Sequence, residues 1–318
     1  MSAKPILVAA LLSLSQSAWP DAVALAVYPA FAAPGAARAH FIEGRVIELS
    51  RSSEPAATDG KRTNLRRNLA LLVNSELEAH PVRVRVAGVE YNTLSDAEGY
   101  FRIQVEDTGA LTAGWNRITA TSEGATTDGA LLLTPAANVH GLISDLDDTI
   151  LITEVHSKRR MLANTLFGNP LQRRAVSGTA QLYHRLAGRN TDPGAAPIFY
   201  LSASPRQLHA AIQSFLDHNQ FPRGVLITKR ITNDATSEPL TDQAAYKAAR
   251  IDDIFVRTPH VRYTLIGDDG ERDPEIYHDA RLRWPDRVEA IWIRRVNPDS
   301  KRPRLPDQRD LADLLGEP

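Results

Sequence analysis

Apolar and polar positions follow one rhythm in the first part of the chain and another in the second. From about residue 40 to residue 137 the short apolar runs alternate in twos: Val82, Val84 and Val86 are interleaved with Arg83 and Arg85. That is the period of half-exposed strands. It predicts strands over 41–49, 82–86, 101–105, 116–120 and 130–133, with a hairpin-type turn at Asp96-Ala97-Glu98-Gly99. A single helix is expected from Asn64 to Glu78, with Leu65, Leu69, Leu72 and Leu77 along one side. Such a stripe reads first as core packing and second as a membrane or partner surface. The region is expected to be a small antiparallel β-sandwich of the accessory kind, and no catalytic constellation falls in it.

From His140 the rhythm changes. Strand-like runs at 140–145, 197–202, 224–228, 262–267 and 288–293 alternate with helical stretches at 177–187, 205–218, 241–256 and 273–283. Alternation of this kind predicts an α/β fold built on a doubly wound parallel sheet. Ligands of such sheets bind at the carboxyl ends of the strands. Asp145, Ser202 and Asp268 all fall at those ends. A polar, Pro-rich stretch follows from Asn297 to Arg304, then a short helix within Asp307–Leu315.

The candidate chemistry is concentrated where the first of these strands stops. Val139 to Leu151 reads Val-His-Gly-Leu-Ile-Ser-Asp-Leu-Asp-Asp-Thr-Ile-Leu, an apolar run ending in Asp145, Asp147, Asp148 and Thr149. Crowded carboxylates raise one another's pKa and call for a cation, and hard oxygen ligands suit Mg²⁺. The string alone is short enough to be a turn with Asx caps. Three further elements give it meaning. Ile198-Phe199-Tyr200-Leu201 runs into Ser202-Ala203-Ser204-Pro205; Lys247 sits in a helical stretch; and Tyr263-Thr264-Leu265-Ile266 runs into Gly267-Asp268-Asp269, with Asp273 shortly after.

Strand–Asp, strand–Ser, helix–Lys and strand–Asp-Asp, in that order, resemble the haloacid-dehalogenase superfamily of phosphotransferases. The stretches Gly141–Ile150, Asn164–Pro170, Gly178–Tyr183, Tyr200–Pro205 and Leu265–Tyr277 narrow this to the actin-patch-type phosphatidate phosphatase catalytic domain and its bacterial relatives. The resemblance covers roughly residues 139 to 296. Gly44-Arg45-Val46, Asn64–Asn68 and Asp96–Phe101 extend it into the first region. It departs from the family pattern at Arg206, where relatives carry an aromatic residue, and at Asp269, where they more often carry serine.

The resemblance implies a haloacid-dehalogenase-like phosphatase acting through an aspartyl-phosphate. Asp145 is then the nucleophile and Asp147 the general acid and base. Mg²⁺ is held by Asp145, Asp268 and the carbonyl of Asp147, with Asp269 or Asp273 assisting. Ser202 and the Ala203 amide, with Thr149 nearby, take the phosphoryl oxygens, and Lys247 neutralises developing charge. Lys229 and Lys247 both fit the lysine element. Lys247 is favoured because it lies on the helix leading into the Asp268 strand, whereas Lys229 directly follows a strand. Asp148 can instead orient Thr149, and Asp273, before Pro274, can be only a helix cap. His156, Lys158, Arg159, Arg160, Arg173, Arg174 and Arg206 form a possible basic rim for an anionic head group, although most charge runs are merely solvated. Neither insertion point between these elements has room for a large cap domain. The expected site is therefore open, and suits a bulky phosphomonoester or a lipid met at a peripheral membrane surface.

Composition narrows the remaining classes. With 37 basic and 38 acidic residues there is no overall field favouring nucleic acid. With no cysteine, disulfides, thiolate metal sites and cysteine nucleophiles are excluded. The start, Met1-Ser2-Ala3-Lys4-Pro5 followed by uncharged Ile6 to Ala18, resembles a secretory signal peptide and is too short for a stable anchor. A periplasmic or secreted location follows if it is one, and a cytoplasmic location if it is not. Cleavage after Ala32 is an alternative, but Val23–Phe31 also reads as a first strand. The expected order is thus a signal at 1–18, a β-rich accessory domain at 19–138, a phosphatase domain at 139–300 and a tail at 301–318. Two other readings stand beside phosphatidate hydrolysis: a phosphatase of a soluble phosphomonoester or phosphoprotein, and a non-catalytic envelope adaptor.

Overall fold

The computed structural model describes residues 22–36, 39–49, 77–105, 109–137, 139–151, 174–232, 237–238, 242–296 and 304–316. The expected signal segment, residues 64–76 of the expected helix, the stretch Asn164–Pro170 and the basic residues 156–160 and 173 lie outside them.

In the first region the described residues contain β1 (Ala22–Val27), β2 (Ala30–Ala32), β3 (His40–Leu49), β4 (Pro81–Val86), β5 (Val89–Leu94), β6 (Tyr100–Val105), β7 (Gly114–Ser122) and β8 (Ala125–Leu133). They form two sheets, β1-β3-β6 and β2-β8-β7-β4-β5. The alternating pattern holds in β4, where Val82, Val84 and Val86 are buried and Arg83 and Arg85 exposed. Ile42, Val46, Phe101 and Ile103 of the first sheet share one apolar core with Val82, Val84, Ile118, Ala120 and Leu131 of the second. Their burial drives the region's assembly.

Two local expectations change. Asp96–Gly99 does not close a hairpin, because β5 pairs with β4 and β6 with β3; the turn carries the chain from one sheet to the other. Its geometry is still that of an Asx turn: the Asp96 carboxylate accepts from the amides of Glu98 and Tyr100, at 3.0 and 2.8 Å. Residues 23–31 are two strands, not one. After Pro29 the chain leaves β3 and runs parallel to β8.

The second region is a six-stranded, all-parallel sheet ordered β11-β10-β9-β12-β13-β14. Its strands are β9 (Val139–Asp145), β10 (Ile198–Pro205), β11 (Val225–Lys229), β12 (Val261–Asp268), β13 (Val288–Arg294) and β14 (Gln308–Asp310). Helices α1 (Thr179–Ala187), α2 (His209–His218), α3 (Gln243–Arg257), α4 (Asp273–Arg283) and α5 (Leu311–Gly316) cover it. Helices α3 and α4 pack with Val139, Ile143, Phe199 and Leu265 on one face. Helices α1, α2 and α5 pack with Leu142, Ile198, Leu226 and Trp292 on the other. Buried on both sides, the strands need the near-continuous apolar runs seen in the sequence. The segment expected as a tail from 301 is part of this sheet, since Gln308–Asp310 pair with Ile291–Ile293. The helix expected from 205 starts later, because Pro205 is extended and a single tight turn at 206–208 intervenes.

Removing β1 and β2, as cleavage after Ala32 does, takes a strand from each sheet of the first region. A chain starting at Ala33 is therefore expected to melt on the order of 10 °C below one starting at Asp21, read by circular dichroism. Equal midpoints would show that these strands carry no stability.

A second prediction concerns His209. Burial, then the nearby Arg206 cation, lower its pKa to about 4. An unfolded histidine takes its proton near pH ~6.5. Between those values the unfolded chain binds more protons, so this group's contribution is complete above the upper value and is lost as pH falls towards the lower one. The loss amounts to about 3 kcal/mol. Urea titrations of wild type and His209→Gln across this window test it, and the variant should show the shallower slope.

Candidate active site

The sheet order sets the site. The chain leaves β9 towards β10 and β11, then returns to β12 on the other side of β9. Loops therefore diverge at the carboxyl ends of β9 and β12, where doubly wound sheets leave a crevice. Asp145 ends β9 and Asp268 ends β12. Leu201 of β10 stands in register with Asp145, so Ser202 is the first residue beyond that rung.

The local sequence explains why these side chains converge. Gly267 precedes Asp268 because a Cβ there would lie 2.6 Å from an Asp273 carboxylate oxygen and 2.7 Å from the Tyr277 ring. Helix α4 begins at Asp273, with Pro274 suited to its first turn. After β9 the backbone turns sharply: Asp148 adopts a left-handed φ of 58°. The Arg294 guanidinium donates to the Asp148 carbonyl and fixes that turn. Asp147 then faces Ser202, whose hydroxyl donates to its carboxylate at 3.4 Å. Ser202 Oγ also accepts from the Ser204 amide at 3.0 Å.

Asp145, Asp268 and Asp273 are 2%, 1% and 0% exposed, and Lys247 3%. The Lys247 ammonium donates to Asp273 at 2.6 Å and lies 2.7 Å from Asp145. Glu271 is further off, at 3.7 Å. The Thr149 hydroxyl lies 3.1 Å from an Asp145 oxygen and 3.3 Å from an Asp268 oxygen, so those two oxygens face a common point. Asp273, read from sequence as a possible cap, instead turns inward to Lys247 and the Asp268 amide.

The charges are unbalanced. Burial, and then the neighbouring Asp273, push Asp268 up to about 7 despite Lys247. Burial also raises Asp145, and Lys247 only partly offsets it. Burial alone would lower Lys247, but Asp145 and Asp273 hold it well above the usual lysine range. One ammonium thus serves three buried acids, with Asp147 beside them. Asp145, Asp268 and Asp273 each offer an oxygen within 4.8 Å of the others. A buried anionic surplus of hard oxygens fits a divalent cation.

Other residues singled out by sequence are placed differently. Asp269 accepts from the Val296 amide at 2.9 Å and is not one of the three clustered acids. Lys229 is 1% exposed, and its ammonium has no hydrogen-bond partner among the described residues; it lies 5.1 Å from the centroid of the Tyr246 ring. Arg206 was expected to bind substrate. Its guanidinium is instead engaged by Glu43 of β3 at 2.9 Å and lies over the Tyr28 ring, because an anion and an aromatic face from the first region meet it there. Ala203 lies in the loop just after Ser202, half-buried. Sequence reasoning leaves Glu271 and Gly267 out of the site, although both stand beside the Asp268 motif.

Comparison with known proteins gives the same segment. A family described as "Phosphatidate phosphatase APP1, catalytic domain" matches residues 140–295. The chain is 33% identical over 154 residues to Phosphatidate phosphatase APP1 of Saccharomyces cerevisiae, covering 48% of this chain and 25% of that protein. It is 27% identical over 219 residues to an uncharacterized protein of Schizosaccharomyces pombe, covering 66% of this chain and 35% of that one. The chain thus spans about a quarter to a third of the length of these curated relatives. Among solved structures, a chain of the Pnkp1/Rnl/Hen1 complex aligns at TM-score 0.30 and 18% identity, over 47% of this chain and 44% of that chain. Likeness at that level decides nothing. Residues 140–295, which supply the four carboxylates, the serine segment and Lys247, thus match the APP1-type phosphatidate phosphatase catalytic-domain family.

Proposed function

We propose that the protein is a Mg²⁺-dependent phosphomonoester hydrolase acting on phosphatidate, with a haloacid-dehalogenase-like domain preceded by a β-sandwich-like accessory domain. The observation that carries this is the convergence of Asp145, Asp268 and Asp273 around Lys247, beside the Ser202–Asp147 pair, at the carboxyl edge of the parallel sheet. In this reading Asp145, Asp268 and Asp273 hold Mg²⁺, with Asp269 nearby. The ion supplies charge neutralisation, which lets an anionic nucleophile approach an anionic phosphate.

The chain's own groups carry the bond changes. An Asp145 oxygen attacks phosphorus, and the ester P–O bond breaks with its electron pair leaving on the alcohol oxygen. Asp147 protonates that oxygen, releasing diacylglycerol, and then takes a proton from water. The water oxygen attacks phosphorus, the acyl-phosphate P–O bond breaks, and Asp145 is regenerated with free phosphate. In this reading Ser202, the Ala203 amide and Thr149 bind phosphoryl oxygens. Lys247 holds Asp145 and offsets charge gained in the transition state. Among the described residues no helix is long and apolar enough to cross a membrane.

Phosphate release from phosphatidate in mixed micelles, beside a panel of soluble phosphomonoesters, tests the reading. Asp145→Asn is expected to lose activity by about 10³-fold or more. Turnover of soluble esters alone would keep the chemistry and reject the lipid substrate. An Asp145→Asn variant as active as wild type would reject both.

The charge imbalance gives a second prediction. Lys247→Met strips the buried acids of their cation and is expected to cost about 3–5 kcal/mol in metal-free buffer, measured by urea denaturation. Millimolar Mg²⁺ is expected to raise the wild-type midpoint by mass action, and Asp268→Asn to abolish that shift. An equal shift in Asp268→Asn would place the cation elsewhere.

A further inference from the structure

The end of β10 that carries Ser202 is out of regular register with its neighbours. Pairing of β10 with β9 ends at Leu201, opposite Asp145. On the other side, pairing with β11 breaks after Leu201 and resumes only at Pro205, opposite Lys229. Residues 202–204 thus form an irregular stretch within β10, and they contain the hydroxyl that reaches Asp147.

What holds the far end of this stretch comes from the first region of the chain. Arg206, directly after the strand, donates to Glu43 at 2.9 Å and lies over the rings of Tyr28 and Tyr100, at 5.0 and 5.9 Å. Arg230, directly after β11, donates to Asp96 at 2.6 Å and lies 4.3 Å from the centroid of the same Tyr100 ring. Gln207 donates to the Ile231 carbonyl at 3.1 Å and so ties the two loops to each other. Tyr100 is 3% exposed, so its ring is fixed between the two guanidinium groups and that of Arg45. Burial alone would raise the Glu43 pKa, but Arg206 and then Arg102 bring it below the usual glutamate range, so Glu43 stays an anion facing Arg206.

We propose that Arg206 and Arg230 are positioning residues, through which Glu43, Asp96 and Tyr100 of the first region set the Ser202 loop against Asp147. The first region is then a working part of the active site, and not a detachable accessory. A free loop end would let the hydroxyl wander, and displacements of about 1 Å cost on the order of 10²-fold in rate when a positioned group is lost. At this interface the Arg206 guanidinium finds both an acid and aromatic faces.

The inference rests on the phosphatase reading for its activity arm only. In the full chain, Glu43→Gln is expected to lower kcat by about tenfold or more, with a smaller change in KM and in melting temperature. Hydrogen exchange at the amides of residues 202–204 and 206 is expected to quicken by about tenfold while exchange at 261–268 stays as in wild type. A purely structural contact would move melting temperature and exchange throughout. Arg206→Lys should restore part of what Arg206→Met loses, and Glu43→Gln added to Arg206→Met should cost nothing more. Asp96→Asn repeats the test at the second contact if Glu43→Gln does not fold. Should wild type hydrolyse no phosphomonoester, the phosphatase reading fails and exchange at the amides of residues 202–204 and 206 alone decides the positioning role. Wild-type exchange there in both Glu43→Gln and Asp96→Asn overturns the inference.

Discussion

Everything at the carboxyl edge of the parallel sheet depends on keeping Asp145, Asp268 and Asp273 buried around the Lys247 ammonium. Desolvating a carboxylate costs several kcal/mol in a protein interior, and one cation cannot offset three. The fold accepts that cost because adjacent strand ends leave the acids nowhere else to go. Asp145 and Asp268 end neighbouring strands, and Gly267 removes the one side chain that would hold Asp273 away. The result is a site with standing affinity for positive charge. In the proposed reaction the same imbalance would favour Asp145 as nucleophile, since a carboxylate that is poorly solvated and only partly neutralised is more nucleophilic than one in water.

Much of this is legible in the sequence, for a physical reason. Parallel strands are buried on both faces, so their apolar runs are long and stop abruptly where the chain reaches the crevice. Functional side chains sit at those stops, which is why the apolar pattern by itself marks Asp145, Ser202 and Asp268. Lys247 is separable from Lys229 by the same logic: it lies on the helix that crosses over to β12, and the fold brings its ammonium to Asp145.

What is not legible has an equally physical cause. Short edge strands such as β5, polar and partly exposed, lack a strong alternation and escape a reading by period. The turn at Asp96 is recognisable from its residue types, but residue types do not say whether the next strand joins the same sheet or another. The place of Arg206 is not legible from sequence, because its partner, Glu43, lies 163 positions away. Local pattern can show a cation beside a phosphate loop. It cannot show that separate, distant segments present an acid and two phenol rings to it. The polar Pro-rich stretch before residue 305 looks like the start of a tail, yet the three residues from Gln308 complete the sheet, too few to register as a period.

These two kinds of information correspond to two layers of the site. The acids and Lys247 are set by the sheet and the helices wound on it, through contacts among neighbours in the same region. The serine loop is set from outside, by ion pairs and ring contacts that reach Arg206 and Arg230 from the first region. Cation affinity and phosphate handling are then separable. The first belongs to one region and should survive damage at the interface. In the proposed reaction the second requires both regions, so the interface is where the chain's sequence could adjust how a phosphate ester is held without disturbing the carboxylates.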